Sequence, residues 1–290
     1  MKKERLENKT HTKTGRKGAR RVAWGLLLLL AVTWAISWIP VTERITIRLP
    51  QVSSDGVGIV LITDLHSCYY GREQKWLIRR IEKEQPDLIL LGGDIFDDVF
   101  TDQNAKITLQ RLAAKYPCYY VTGNHEYWSD RAQQMKEIVK ECGATVLAGS
   151  CQSITVSGTT LDICGVDDPD GCTGMQWNEQ LDSAFLGTKE DHVKILLSHR
   201  PERTLDYEQY PFDLILTGHA HGGQFGLPVI RRGVFSPDQG FMAKYVSGLY
   251  TLKNGAIMEV SRGLSRERTP LPRFFNHPEV VSIKLSSKAE

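Results

Sequence analysis

Val57-Gly58-Ile59-Val60-Leu61-Ile62-Thr63-Asp64-Leu65-His66 runs from a continuous apolar, β-branched stretch straight into a carboxylate and an imidazole. An uncharged run of this length bounded by polar residues reads as a strand buried on both faces. The same grammar recurs downstream. Leu88–Leu91 ends in Gly92-Gly93-Asp94, and Cys118–Val121 ends in Gly123-Asn124-His125-Glu126. Val193–Leu197 ends in Ser198-His199-Arg200, and Leu214–Leu216 ends in Thr217-Gly218-His219-Ala220-His221-Gly222-Gly223.

Amphipathic segments separate these runs. Helices are predicted over Glu73–Glu84, Asn104–Lys115, Asp130–Cys142 and Gln176–Leu186, with apolar residues at helical spacing such as Leu77, Ile78 and Ile81. Further strands are predicted at Thr145–Leu147, Ser153–Val156, Thr160–Cys164, Ala256–Val260 and Val280–Leu285, with Ser157-Gly158 as a hairpin turn. Alternating strands and helices make an α/β fold, and no linker divides residues 45–287, which read as one domain.

In open α/β sheets, sites collect beyond the carboxyl ends of the strands. Here that edge receives Asp64, His66, Asp94, Asn124, His125, His199, His219 and His221. His219 and His221 are two apart, so in extended chain both rings face one side. A mixture of carboxylate, amide and imidazole suits Mn, Fe or Zn better than Ca or Mg. Seven ligands exceed one ordinary site and suit two divalent metal ions sharing a carboxylate.

The order D-x-H, G-G-D, G-N-H-E, a lone strand-end His and G-H-x-H resembles the calcineurin-like metallophosphoesterases. Val234-Phe235-Ser236-Pro237-Asp238-Gln239-Gly240 and Ser261-Arg262-Gly263-Leu264 resemble the tail of the bacterial membrane-anchored branch. That branch includes phosphodiesterases and UDP-2,3-diacylglucosamine pyrophosphohydrolases. The resemblance implies a four-layer α/β/β/α sandwich of two mixed sheets. It also implies that Asp64, His66 and His221 hold one metal, that Asn124, His199 and His219 hold the other, and that Asp94 bridges them. His125 takes the place of the family histidine that contacts the phosphoryl group and assists the leaving oxygen. The expected activity is hydrolysis of a phosphodiester or related phosphate ester by metal-bound hydroxide. The alternatives are a lipid or nucleotide-sugar pyrophosphohydrolase and a non-catalytic, metal-binding, membrane-tethered scaffold.

Charge is unevenly spread. Of 36 Lys/Arg and 34 Asp/Glu, nine of the former but only Glu4 and Glu7 of the latter fall within residues 1–21, which leaves the body mildly acidic. A nucleic-acid-coating role has no electrostatic support. Val22–Ile39 carries no charge and includes Trp24, Trp34 and Trp38. Residues 22–40 therefore read as a transmembrane anchor, or as a cleaved signal segment of a secreted protein. The basic tail before it places the amino terminus in the cytoplasm and the catalytic domain outside the cell membrane.

Several residues read as structural. Asp167-Asp168-Pro169-Asp170 is expected to be a solvated turn, and Arg200 either a phosphate contact or a salt bridge. His11, His192 and His277 are expected on the surface, and the aromatic pairs Tyr69-Tyr70 and Tyr127-Trp128 pack beside the ligand loops. The six cysteines have no metal-site or disulfide-framework spacing and read as thiols.

Overall fold

The computed structural model describes residues 20–25, 27–224, 235–266, 273 and 276–287. Two six-stranded mixed sheets form its centre. The first has the order β1 (Val41–Arg48), β14 (Glu279–Ser286), β2 (Val57–Ile62), β3 (Leu88–Gly92), β4 (Cys118–Val121), β5 (Thr145–Val146). Strands β2 to β5 are mutually parallel, while β14 runs antiparallel to β2 and parallel to β1. The second has the order β12 (Gly248–Thr251), β13 (Ile257–Val260), β9 (Leu214–Thr217), β8 (Val193–Leu197), β7 (Thr159–Gly165), β6 (Ser150–Val156). Its four inner strands are parallel, and β12 and β6 close the edges antiparallel.

Alternation along β2 explains why its sequence is apolar without a break. Val60 and Ile62 face the helices α2 (Lys75–Lys83), α3 (Gln103–Ala113) and α5 (Ala132–Glu141), joining Leu77, Ile81, Leu109 and Met135. Ile59 and Leu61 face the second sheet and join Leu161, Ile163, Ile195 and Leu216. Beyond that sheet, α6 (Gly174–Leu186) and α7 (Thr204–Tyr207) pack Trp177, Leu181 and Tyr207 onto Leu196, Ile215 and Met258. Three apolar layers between four structural layers give the α/β/β/α sandwich. Each fully buried Leu, Ile or Val contributes about 1.5–3 kcal/mol against the entropy of ordering the chain.

Four features depart from the sequence expectations. The first sheet opens at Val41, ahead of Ile45. β1 alternates Arg44, Thr46 and Arg48 with Ile45 and Ile47, Glu43 interrupts the apolar face, and this edge-strand pattern hides it beside an apolar run. A short helix α4 (Asn124–Trp128) begins inside the G-N-H-E motif, where a loop was expected. The helix expected from Glu73 starts at Lys75, because Glu73 and Gln74 have φ of 54° and 56°. Gln74 accepts from the Tyr70 amide at 2.7 Å, which fixes that turn.

The fourth concerns the amino-terminal segment. Residues 20–25 and 27–36 are helical (α1), and the chain turns at Ser37, whose Oγ donates to the Thr33 carbonyl at 2.8 Å. The helix thus stops short of Pro40, since the chain must enter β1 at Val41. Among the described residues no helix is long and apolar enough to cross a membrane. Apart from Arg20 and Arg21, the basic tail lies outside the described residues, as does His11.

Candidate metal centre

Parallel strands of both sheets end on one edge, and that edge carries the predicted site. Asp64 and His66 follow β2, Asp94 follows β3, Asn124 and His125 open α4 after β4, His199 follows β8, and His219 and His221 follow β9. The seven candidate ligands are buried. The His125 side chain stays 17% exposed. Five of the seven, Asp64, His66, Asp94, His219 and His221, have φ between 46° and 63°. Non-glycine residues adopt this left-handed backbone at a cost, and such strain concentrates at functional sites. Small neighbours make the crowding tolerable: a Cβ at Gly218 would lie 2.7 Å from Asp64 Oδ2.

Ligand atoms of Asp64, His66 and His221 lie within 4.8 Å of one another, as do those of Asp94, His199 and His219. Asp94 Oδ2 is 3.1 Å from His199 Nε2 and 3.7 Å from His66 Nε2, so Asp94 stands between the two groups. Asp64 Oδ1 lies 3.9 Å from His199 Nε2 and 3.8 Å from His221 Nε2. Two further groups, His66-Asp97-His125 and Glu202-His219-Asp238, reuse members of this pair.

Five buried atoms in this constellation are satisfied by no group outside it among the described residues: Asp64 Oδ2, Asn124 Oδ1 and His219 Nδ1 have no hydrogen-bond partner, and Asp94 Oδ2 and His199 Nε2 have only each other, at 3.1 Å. An unsatisfied buried polar atom costs about 1–3 kcal/mol, and more when charged. Five together are explained by a ligand that binds lone pairs, and their chemistry fits divalent cations.

The opposite sides of these groups are held firmly. His199 Nδ1 meets the Gly92 carbonyl at 2.8 Å, His66 Nδ1 meets Asp97 Oδ2 at 3.1 Å, and His219 Nε2 meets Asp238 Oδ2 at 2.8 Å. Such contacts set ring orientation and leave the second nitrogen for the site. Asp94 Oδ1 accepts from the His125 amide at 2.9 Å, and Asp64 Oδ1 from the His219 amide at 3.0 Å. Glu126 clamps the loop around Asp94. Its carboxylate accepts from the amides of Asp94 (3.0 Å), Ile95 (2.9 Å), Phe96 (3.1 Å) and Gly123 (2.7 Å).

The electrostatics follow from burial and crowding. Desolvation would raise Asp94, but His199 and His66 outweigh it and hold its carboxyl well below the usual range. Desolvation and the Asp94 charge push Glu126 up to about 7. Desolvation, His66 and Arg273 keep His221 neutral, the form that binds metals.

His125 stands apart from this buried set. Its Nδ1 contacts Asp98 Oδ1 at 2.6 Å, and its ring lies against Trp128 with centroids 4.7 Å apart. Sequence reasoning missed Asp97, Asp98, Glu126 and Asp238 as supports. The first two share the Asp94 loop, which was the available signal, while Asp238 comes from the turn between β10 (Phe235–Ser236) and β11 (Gly240–Phe241).

Several structural expectations change. The Asp167–Asp170 turn is not solvated at its start: Asp167 and Asp168 are buried. Arg200 binds Asp168 through Nε (2.6 Å) and Nη2 (2.8 Å) and also contacts Asp170 (3.0 Å) and Asp238. It is therefore a structural ion pair in this structure. His192 is not an ordinary surface residue, because its Nδ1 meets Asp162 at 2.8 Å. His277 Nδ1 contacts the Ile39 carbonyl at 3.1 Å. Tyr70 is core, whereas Tyr69 and Trp128 are exposed beside the site. No disulfide joins the six cysteines.

Comparison with known proteins agrees with this geometry. Residues 58–223 match the family model described as calcineurin-like phosphoesterase. The chain is 32% identical over 239 residues to the metallophosphoesterase YkuE of Bacillus subtilis, covering 80% of each chain. It is 29% identical over 259 residues to a metallophosphoesterase of Aquifex aeolicus, covering 85% of this chain and 92% of the relative. A third, the metallophosphoesterase Cj0846 of Campylobacter jejuni, is 28% identical over 252 residues, and the match spans 64% of its length. The chain belongs to the calcineurin-like phosphoesterase family and is a metal-dependent phosphoric ester hydrolase.

Proposed function

We propose that the protein hydrolyses a phosphodiester with two divalent cations, Mn, Fe or Zn. Asp64, His66 and His221 would hold one, Asn124, His199 and His219 the other, with Asp94 shared. When bound, such a pair lowers the pKa of water and neutralises phosphoryl charge. The chain's own groups supply the rest. Asp94 Oδ1 is tied to the His125 amide, so the shared carboxylate and the substrate-facing histidine are fixed to each other. Asp98 Oδ1, 2.6 Å from His125 Nδ1, orients the ring and leaves Nε2 to serve the departing oxygen. Asn124 adds a neutral ligand, so the centre keeps positive charge for a phosphate.

The observation that carries this reading is the set of five buried ligand atoms that no described group outside the constellation satisfies, beside a partly exposed His125–Asp98 pair. The test is release of p-nitrophenol from bis(p-nitrophenyl) phosphate after loading with Mn²⁺, Fe²⁺ or Zn²⁺. Turnover that disappears in Asp94→Asn is expected. Well-folded protein with no turnover under any of the three metals would refute the reading.

We further propose that the whole uncharged run Val22–Ile39, rather than α1 alone, passes through the cell membrane, which puts residues 1–21 in the cytoplasm and the domain outside. The uncharged run Val22–Ile39 and the exposed Trp24, Leu28 and Leu29 support this. A carboxyl-terminal alkaline phosphatase fusion should be active, and one active only as a cytoplasmic reporter would contradict the orientation.

A further inference from the structure

We propose that a cavity at the open edge of the sandwich binds a short aliphatic diamine, one ammonium on Glu259 and the other on Glu43. β1 and β12 are edge strands of the two sheets, and the cavity opens between them. It has a volume of about 330 Å³ and is lined by Glu43, Ile45, Leu249, Glu259, Arg262 and Glu279, among others. None of the candidate metal ligands lines it. That size suits a small organic ligand.

Strand alternation aims Glu259 into this space. Met258 and Val260 pack towards α6 and α7, whereas Ile257 packs into the layer between the sheets. Glu259, two residues beyond Ile257 on β13, therefore points between the sheets as well. On β1, Ile45 and Ile47 face the same layer, and Glu43 carries that face to the opening. Leu249 lies directly opposite Glu259 across the antiparallel β12–β13 pair and shares its face. A carboxylate thus stands where the inter-sheet core would otherwise continue with an apolar side chain.

Glu259 is buried, and neither of its carboxylate oxygens has a hydrogen-bond partner among the described residues. The guanidinium in the lining is committed elsewhere. Arg262 donates to Glu279 through its amide and through Nε, both at 2.6 Å, and its Nη2 reaches Glu43 only at 3.8 Å. Three carboxylates against one guanidinium leave two acceptors to be served, the buried Glu259 and the rim Glu43, whose side chain is 52% exposed. Ile45 and Leu249 add apolar wall. A diamine offers a charged donor at each end and hydrocarbon between, which matches this pattern. A bare metal ion matches it less well: among the described residues, no group of three His, Cys, Asp or Glu with ligand atoms within 4.8 Å of one another includes Glu43, Glu259 or Glu279. Desolvation, then the charges of Glu279 and Glu43, raise the Glu259 carboxyl well above the ordinary range. An ammonium arriving at the same oxygens takes the place of that proton, so binding releases it to solvent.

The test is calorimetric titration of the full chain with 1,4-diaminobutane, in two buffers of different ionisation enthalpy. Mn²⁺ is present throughout, so that the metal centre does not draw the amine. Saturable binding with proton release is expected. Glu259→Gln, which keeps the shape and removes the charge, should weaken binding by about ten- to hundred-fold while its circular dichroism matches the native protein. Glu43→Gln should weaken it by about two- to five-fold, since that carboxylate sits in water at the rim. 1-Aminobutane, which keeps one ammonium, should bind more weakly than the diamine, and the neutral 1,4-butanediol should fail to compete. No binding of the diamine, native affinity in a folded Glu259→Gln protein, or equal binding of 1,4-butanediol would overturn the assignment.

Discussion

His199 and Arg200 are adjacent in sequence and both buried, yet their charged surroundings differ in kind. Arg200 closes on itself: Asp168 grips it through two bonds, and Asp170 and Asp238 complete the ring. His199 sits in a cluster that stays open: its Nε2 faces Asp94 Oδ2 at 3.1 Å, and neither atom has a hydrogen-bond partner beyond that pair among the described residues. One residue step along the chain separates a charge cluster that stabilises the fold from one arranged for incoming cations. Both clusters are rich in Asp, but the closed one gives its carboxylates a guanidinium, whereas the open one faces them with imidazoles that leave buried atoms unsatisfied. Asp238 spans them, contacting Arg200 and His219 Nε2, so the closed cluster orients a member of the open one.

Breaking the open cluster should abolish chemistry and spare the fold. Asp94→Asn removes the shared anionic ligand, and turnover should fall to background while the far-ultraviolet circular dichroism is retained. Unchanged turnover would remove Asp94 from its role. His125→Ala comes next: kcat should drop about 10²–10⁴-fold with metal content unaltered. Equal loss of metal would mean that His125 acts as a ligand instead.

The closed cluster should respond the other way. Arg200→Ala leaves the buried Asp168 unpaired and should destabilise the protein by about 3–5 kcal/mol, read from urea denaturation. A stable Arg200→Ala protein with weakened phosphate binding would transfer Arg200 to the substrate.

Glu259 offers a third, smaller contrast, because it is buried, both its carboxylate oxygens lack a hydrogen-bond partner among the described residues, and it lies outside either cluster. Desolvation, then the charges of Glu279 and Glu43, raise its carboxyl well above the ordinary 4.5. The folded state therefore holds a proton that the unfolded chain releases, and stability falls as pH rises above that ordinary value. Glu259→Gln should flatten this decline, raising Tm near neutral pH by about 2–4 °C for each kcal/mol recovered. Parallel pH–Tm curves for the two proteins would show that Glu259 does not titrate in the folded state.

Much of this architecture was readable from apolar runs. β2, β3, β4, β8 and β9 are buried on both faces, so each appears as an uninterrupted hydrophobic segment and its end locates the polar residue that follows. β1 was not readable, because edge exposure interleaves charges with its apolar positions. α4 is too short for helical periodicity to register. The supports of the site were hidden for a different reason. Glu126 acts by accepting four backbone amides, and Asp168 by pairing with a residue far along the chain, neither of which leaves a spacing signal. The solvated-turn expectation for Asp167–Asp170 failed on the same point: local turn chemistry was present, but tertiary pairing buried its first two residues.

The central claim is that the open cluster is a two-cation site with Asp94 shared. Its most direct test is calorimetric titration of metal-free protein with Mn²⁺, alongside hydrolysis of bis(p-nitrophenyl) phosphate. Two equivalents per chain are expected in the native protein, with turnover following the second, and Asp94→Asn should lose both. Native protein that binds no Mn²⁺, Fe²⁺ or Zn²⁺, or an Asp94→Asn variant that still binds two equivalents, would contradict the account.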